Sequence, residues 1–232
     1  MKSIQYIRKR LLSIFILIYG PVFLFSQTPS DTLKRLNEIQ KELSAGKVSI
    51  EVVLTNAKWM DLHASTSFRE MIKQFAPADS LNIIAGNEPG KPITVIVYIM
   101  DRTNRPLKKQ LVYFYHTDNR GWYGYKGTHV NGIEGDRRHA RLFGYVKTDD
   151  QGRVVLRTIK PTGYPGSELP AHIHFEVPME NGNGLITELL FDNDPRLIEP
   201  MRQRMLGEGA VISKPITTNE GALVFLYTLH TH

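Results

Sequence analysis

Two histidines, His172 and His174, lie two residues apart in residues 170–175, a run typical of a β-strand. Side chains two apart on a strand point to the same face, so both imidazoles can bind one metal ion. Imidazole suits zinc, copper, iron and nickel, so the histidines alone do not select the metal. The spacing therefore predicts a shared metal site without naming its ion.

Two tyrosines narrow the choice of metal. Tyr164 begins the sequence Tyr-Pro-Gly shortly before the histidines, and Tyr123 ends the sequence Gly-Trp-Tyr at a loop position from which its side chain could reach the same face. A phenol has a reference pKa of about 10, so it ionises at neutral pH only beside a strong Lewis acid. Ferric iron meets that demand best. The absence of cysteine excludes thiolate zinc sites, iron–sulfur clusters and cysteine nucleophiles.

Five separated pieces follow one another in a fixed order: YHTDNRGWY (115–123), GYVKTDDQG (144–152), RTIKP (157–161), YP (164–165) and PAHIHF (170–175). Together they resemble the intradiol ring-cleavage dioxygenases. The resemblance covers about residues 88–195, and several ordered pieces are more specific than one short motif.

The resemblance implies a site and an activity. The ligands of a non-haem ferric ion in a β-sandwich core would be Tyr123, Tyr164, His172 and His174. The family uses O2 to cleave a catechol between its two hydroxylated carbons, giving a muconate-type diacid. By position, Tyr164 would leave the metal and act as the general base, while Tyr123 stays bound. The alternatives are an iron- or catecholate-binding sandwich with little turnover, and an interaction module without metal.

The chain departs from the family pattern at two positions. Leu169 stands where many relatives have an arginine that stabilises negative charge, and Glu188 stands where many have glutamine. The connection 124–141 is polar and could roof the site, and its cations are candidates to replace the missing charge and bind substrate: Arg137, Arg138 and Arg141. Tyr125 competes with Tyr123 as a ligand, and the Gly-x-Tyr spacing favours Tyr123.

The remaining histidines are weaker candidates. His116 is expected to be a hydrogen-bonding residue of the core or of the site's surroundings rather than a ligand. The pair His230 and His232 repeats the His-x-His spacing at the end of the chain, where no tyrosine pattern accompanies it, and is expected to be a free tail. Three others give no signal: His63, His129 and His139.

Residues 1–26 are typical of a secretory signal peptide. Four basic residues precede the apolar stretch 11–25, which is short for a membrane span, and cleavage is expected near Ser26 although Leu24 fits the small-residue rule poorly. The sequence thus predicts export, to the periplasm, with a membrane contact only through an uncleaved leader; a buried N-terminal helix is the other alternative. Without these residues the net charge falls from +6 to +2, which disfavours a nucleic-acid partner.

The rest of the chain divides into a helical segment (27–87) and a catalytic domain (88–232). Apolar spacing predicts a helix over 30–43, from Leu33 to Leu43, and another after Ser65 that ends before Pro77. These helices could pack on the domain or form a homodimer contact. The fold is predicted to be mainly β, a β-sandwich with N-terminal helices, from the alternating runs 93–100, 110–116, 142–148, 153–159, 172–177, 185–191 and 222–229.

Overall fold

The computed structural model describes residues 29–124, 140–179 and 184–231, which form two five-stranded sheets packed face to face. The first sheet has the spatial order β1 (Ser80–Asn82), β5 (Arg153–Ile159), β2 (Pro92–Met100), β10 (Leu223–His230) and β9 (Ile216–Thr217). The second has the order β4 (Leu142–Lys147), β3 (Leu111–His116), β6 (His172–Val177), β7 (Leu185–Phe191) and β8 (Val211–Ser213). The predicted β-sandwich is confirmed, and each predicted strand lies within one residue of the observed bounds.

Both sheets are mixed. Strands β10 and β2 pair in parallel, as do β1 with β5 and β7 with β8, whereas the other pairs are antiparallel. The turn predicted after β4 is present: Gly152 adopts φ +71° and its N–H donates to the Asp149 carbonyl at 3.1 Å. Glycine adopts this left-handed conformation at little steric cost because it has no β-carbon.

The core lies between the two sheets. Alternate residues of β2 are buried, and the rings of Phe191 and Phe225 meet across the interface with centroids 4.7 Å apart. At Gly144 a β-carbon would lie within 2.8 Å of Phe114 and closer still to Leu81, so this position has no room for a side chain. Phe114 pairs with Phe175 in register, which fixes the inner face of β3 and β6.

Helices cover the outer face of the second sheet. On the side of β4 these are α1 (Pro29–Ser44), α2 (Ile50–Thr55), a 3₁₀-helix (Ala57–Ala64) and α3 (Thr66–Gln74), and α4 (Glu199–Gly207) packs beside β7. The sequence predicted α1 and α3, the latter capped by the Ser65 hydroxyl, but missed the other three helices. Leu33 was placed on the apolar stripe of α1 but is 60% exposed.

The segment predicted to be helical also contributes to the sandwich. Strand β1 lies inside this segment and pairs with β5. The pairing places the buried Leu81 side chain in the core next to Gly144. Within the described residues, every helix is too short or too polar to cross a lipid bilayer. The predicted leader, residues 1–26, lies outside the described part of the chain.

Candidate metal centre

The predicted metal site lies on the outer face of the second sheet. Ile173 and Phe175 of β6 point into the core between the sheets, so His172 and His174 point the other way. Tyr115, opposite His174 on β3, stacks against its ring at 4.5 Å between centroids. The donors lie between the second sheet and the loops that cover it.

Four donor atoms converge at this place. The Tyr123 Oη lies 2.6 Å from the Tyr164 Oη and 2.9 Å from the His174 Nε2. The Tyr164 Oη lies 3.0 Å from the His172 Nε2 and 3.3 Å from the His174 Nε2, and the two imidazole nitrogens are 3.2 Å apart. Three of these residues are less than 8% exposed. The structure thus brings together all four residues that are predicted to be metal ligands.

The protons available do not account for these distances. The His172 Nδ1 lies 2.8 Å from the Pro170 carbonyl, which can only accept, so this nitrogen carries the proton and the neutral ring turns a lone pair toward the cluster. The two hydroxyls and the His174 Nε2 then supply at most three hydrogens, whereas five pairs of these atoms lie within 3.3 Å of each other. Donors about 2 Å from one shared ion lie roughly 3 Å from each other. The donor set therefore fits a metal ion.

Burial makes the cluster depend on a cation. Burial, assisted by the neighbouring Tyr164, raises the pKa of the Tyr123 hydroxyl well above its ordinary value of 10. A phenolate at this position therefore forms only when a strong Lewis acid compensates its charge. A ferric ion is the hard, trivalent cation that suits such a donor.

The loop that carries Tyr123 is held by backbone contacts. Gly121 adopts φ +80°, and a β-carbon there would lie 2.5 Å from the Gly163 carbonyl, so the two tyrosine-bearing loops touch at a residue without a side chain. The Arg141 N–H donates to the Tyr123 carbonyl at 2.7 Å. These contacts set the height of the Tyr123 ring above the sheet.

Arg141 is directed toward a carboxylate. Its guanidinium makes a two-pronged pair with Glu88 at 2.5 and 2.7 Å, and its Nη2 lies 3.9 Å from Asp118. The pair is buried, since both side chains are 8% exposed. Its role in substrate binding stays a prediction, and the other two candidate cations, Arg137 and Arg138, lie outside the described residues.

Two residues of the N-terminal segment also support this loop. The His63 Nδ1 donates to the Arg141 carbonyl at 2.8 Å, and burial lowers the pKa of His63 to about 4, which keeps the ring neutral. Arg69 donates to the Ala140 carbonyl at 2.7 Å and packs 3.9 Å over the ring of Phe143. Sequence reasoning missed His63, Arg69 and Glu88, because only long-range contacts reveal their roles.

The loop that carries Tyr164 is held from the other side. The Arg196 Nη1 donates to the carbonyls of Tyr164 and Leu169 at 3.2 and 3.3 Å. Gly163 leaves the space that this guanidinium fills, since a β-carbon there would collide with it. Arg196 also gave no signal in the sequence.

The other histidine predictions have separate outcomes. His116 is fully buried and bridges the sheets, with its Nε2 2.7 Å from the Thr158 hydroxyl, which confirms it as a hydrogen-bonding core residue. The prediction of a free tail is wrong for His230, which is the last residue of β10, pairs with Met100 and has its Nε2 2.9 Å from the Asn104 side-chain oxygen. The remaining ones lie outside the described residues, as does the competing tyrosine: Tyr125, His129, His139 and His232.

The chain is similar to known dioxygenases in sequence and in fold. A family model described as dioxygenase matches residues 70–226. Catechol 1,2-dioxygenase 2 from Acinetobacter lwoffii is 26% identical over 48% of this chain and 44% of its own length. The protocatechuate 3,4-dioxygenase beta chain from Burkholderia cepacia is 31% identical over 50% of this chain and 52% of its own length. This chain therefore spans about half the length of these curated relatives.

Solved structures show the same fold. The catechol 1,2-dioxygenase from Acinetobacter sp. ADP1, inhibited by bound mercury, aligns over 88% of this chain and 78% of its own at 15% identity, with a TM-score of 0.54. The dioxygenase domain of a carbohydrate-binding fusion protein from Streptomyces sp. SirexAA-E aligns over 67% of this chain and 88% of its own at 25% identity, with a TM-score of 0.50. With the family match over most of the chain, these findings show that it belongs to the intradiol dioxygenase family.

Proposed function

We propose that this protein is a non-haem ferric dioxygenase that uses O2 to cleave a catechol-type aromatic between its two hydroxylated carbons, giving a muconate-type diacid. The observation that carries the proposal is the convergence of two phenol oxygens and two imidazole nitrogens within 3.3 Å of their neighbours. The names of the relatives, catechol 1,2-dioxygenase and protocatechuate 3,4-dioxygenase, support the substrate class.

The residues that would hold the iron are Tyr123, Tyr164, His172 and His174. A ferric ion held by this set would supply Lewis acidity and an electron acceptor for the activation of a catechol ring. The two histidines keep fixed positions because their strand is paired on both sides. The surrounding burial limits the access of water.

The two tyrosines would have different roles. Both lie on loops outside the strands, and the backbone carbonyl of each accepts a hydrogen bond from an arginine, Arg141 for Tyr123 and Arg196 for Tyr164. By position in the family pattern, Tyr123 would remain a ligand and Tyr164 would leave the metal. The Tyr164 Oη is close to every other donor of the set, so it is placed to accept a proton from an arriving catechol.

One observation favours an alternative function. Leu169 brings no charge to a position where many relatives have arginine, and Arg196 uses its Nη1 on the Leu169 and Tyr164 carbonyls. Loss of one stabilising contact slows a reaction on the order of a hundredfold. A protein that binds iron and catecholate with little turnover is therefore the second candidate.

We also propose that the protein is exported to the periplasm. The support is the pattern of residues 1–26, in which basic residues precede a short apolar stretch. Cell fractionation with N-terminal sequencing of the recovered protein tests this. Recovery of an intact N-terminus from the cytoplasmic fraction would contradict it.

Oxygen consumption separates the two candidate functions. The protein is loaded with ferric iron, its metal content and visible absorption are recorded, and oxygen uptake is followed with catechol, hydroxyquinol and protocatechuate. Iron, a visible phenolate-to-iron band and uptake with a ring-opened product are the expected result. Iron and colour without uptake would select the binding protein, and failure to retain iron would contradict both.

A further inference from the structure

A carboxylate lies beside the donor cluster. Glu188 faces His174 in the register of β6 and β7, with its Oε1 3.7 Å from the His174 Nδ1 and 3.9 Å from the His172 Nε2. These distances exceed those of hydrogen bonds. Among the described residues, these three form a group whose potential ligand atoms lie within 4.8 Å of one another. The charge of Glu188 therefore acts directly on the site.

Glu188 lies on the more exposed side of the cluster. Its side chain is 31% exposed, compared with 5% for His172 and 13% for His174. Tyr123 and Tyr164 are 6% and 7% exposed. Glu188 is therefore more accessible from solvent than any of the four donors beside it.

Of the arginines that the structure describes, the two that support the site bind groups other than Glu188. Arg141 pairs with Glu88, and Arg196 donates to two backbone carbonyls. Position 169 contributes a leucine side chain. A negative charge within several ångströms of a bound ring shifts the affinity for a charged substituent by roughly tenfold or more at protein-like dielectric values.

We propose that Glu188 sets the substrate class, so that the site favours catechols with a cationic amine substituent and disfavours those with a carboxylate. Neutral catechols fall between the two. This inference rests on the proposed function, because it concerns the same iron site. It predicts that the order of affinity follows the charge of the substituent, with dopamine bound more tightly than catechol and catechol more tightly than protocatechuate.

The test is anaerobic titration, which measures binding without turnover. The iron-loaded full chain and its Glu188→Gln variant are titrated with dopamine, catechol and protocatechuate while the visible band is followed. In the variant, protocatechuate should bind roughly tenfold more tightly relative to catechol and dopamine roughly tenfold more weakly. Glu176→Gln, the same change one step along the outer face of β6, is the matched control and should leave both ratios unchanged.

The outcomes distinguish the two proposals. Ratios that stay the same in Glu188→Gln would overturn the specificity role while the function stands. A Glu188→Gln variant that loses iron would show that Glu188 is a metal ligand instead, which also overturns the role. If wild-type protein shows no spectral response to any of the three catechols, the proposed function falls, and this inference with it.

Discussion

The chain carries the His-x-His spacing twice, and the two copies differ in what surrounds them. His172 and His174 lie mid-sheet with two phenol oxygens within hydrogen-bond distance. His230 ends strand β10 and is exposed, with an asparagine oxygen at 2.9 Å, while His232 lies outside the described residues. Within the described part of the chain, only the first copy joins a group of residues that could hold a metal.

The difference shows that the His-x-His spacing alone is not sufficient for a metal site. A strand places alternate side chains on one face wherever it runs, so both copies satisfy the local rule. What the first copy adds is a pair of loops, each bringing one tyrosine over that face and each tied down by contacts from a distant arginine. The site is therefore a property of the loops as much as of the strand.

Removing one phenol should give the largest effect. Tyr164→Phe deletes the oxygen that lies close to the three other donors, so we expect turnover to fall by roughly 10³-fold or more and the visible band to change. Oxygen uptake and absorption spectra measure this. Tyr125→Phe is the control and should keep the band, and the reverse pattern would reassign the ligand.

The two histidine pairs can be compared directly by substitution. His172→Ala removes a buried nitrogen donor, and we expect iron affinity to fall by at least roughly a hundredfold, whereas His230→Ala should leave it unchanged. Iron content after dialysis against a chelator measures both. Equal iron loss in the two variants would mean that the second pair also binds the resident ion.

The support of the Tyr123 loop can be weakened without touching a donor. Arg69→Met removes hydrogen bonds to the carbonyls of His63 and Ala140, so we expect iron affinity to fall roughly 10-fold and the free energy of unfolding by roughly 3 kcal/mol. Metal competition and denaturant titration measure the two effects. Lys73→Met, on the same helix but exposed, is the control. Unchanged iron affinity in a destabilised variant would limit Arg69 to a structural role.

A buried neutral histidine should give a smaller, pH-dependent effect. Burial lowers the pKa of His63 to about 4 from about 6.5, so between these values the unfolded chain binds a proton that the folded chain does not. His63 therefore lowers the free energy of unfolding as the pH falls from 6.5 to 4, by at most roughly 1.4 kcal/mol per pH unit. Below pH 4 it causes no further decrease.

Denaturant titration of wild type and His63→Gln across this range isolates the contribution. His116, whose pKa burial also lowers to about 4, contributes the same slope in both proteins. The variant should therefore show a shallower decline. Parallel curves would show that the His63 ring is not held neutral in the folded protein.

Much of the fold followed from local pattern. The strand bounds of β5, β6 and β7 were predicted to the residue, because buried strands alternate and end at turn residues. The short strands β1 and β8 were missed because three residues carry too little periodicity to stand out, and the helix α4 was missed because its apolar residues do not gather on one face. Leu33 was misplaced because an apolar residue on a helix is not always covered by the rest of the chain.

The amino-acid sequence by itself determined the donor chemistry: which residues are phenols and imidazoles, and which of them share a face of one strand. Only the tertiary structure decided that these donors meet on the outer face of the second sheet, that Arg141 and Arg196 serve the loops, and that Glu188 lies beside the histidines. The physical reason is the distance along the chain over which each kind of information acts. Periodicity acts over a few residues, whereas these contacts join segments brought together only when both sheets and the helices pack.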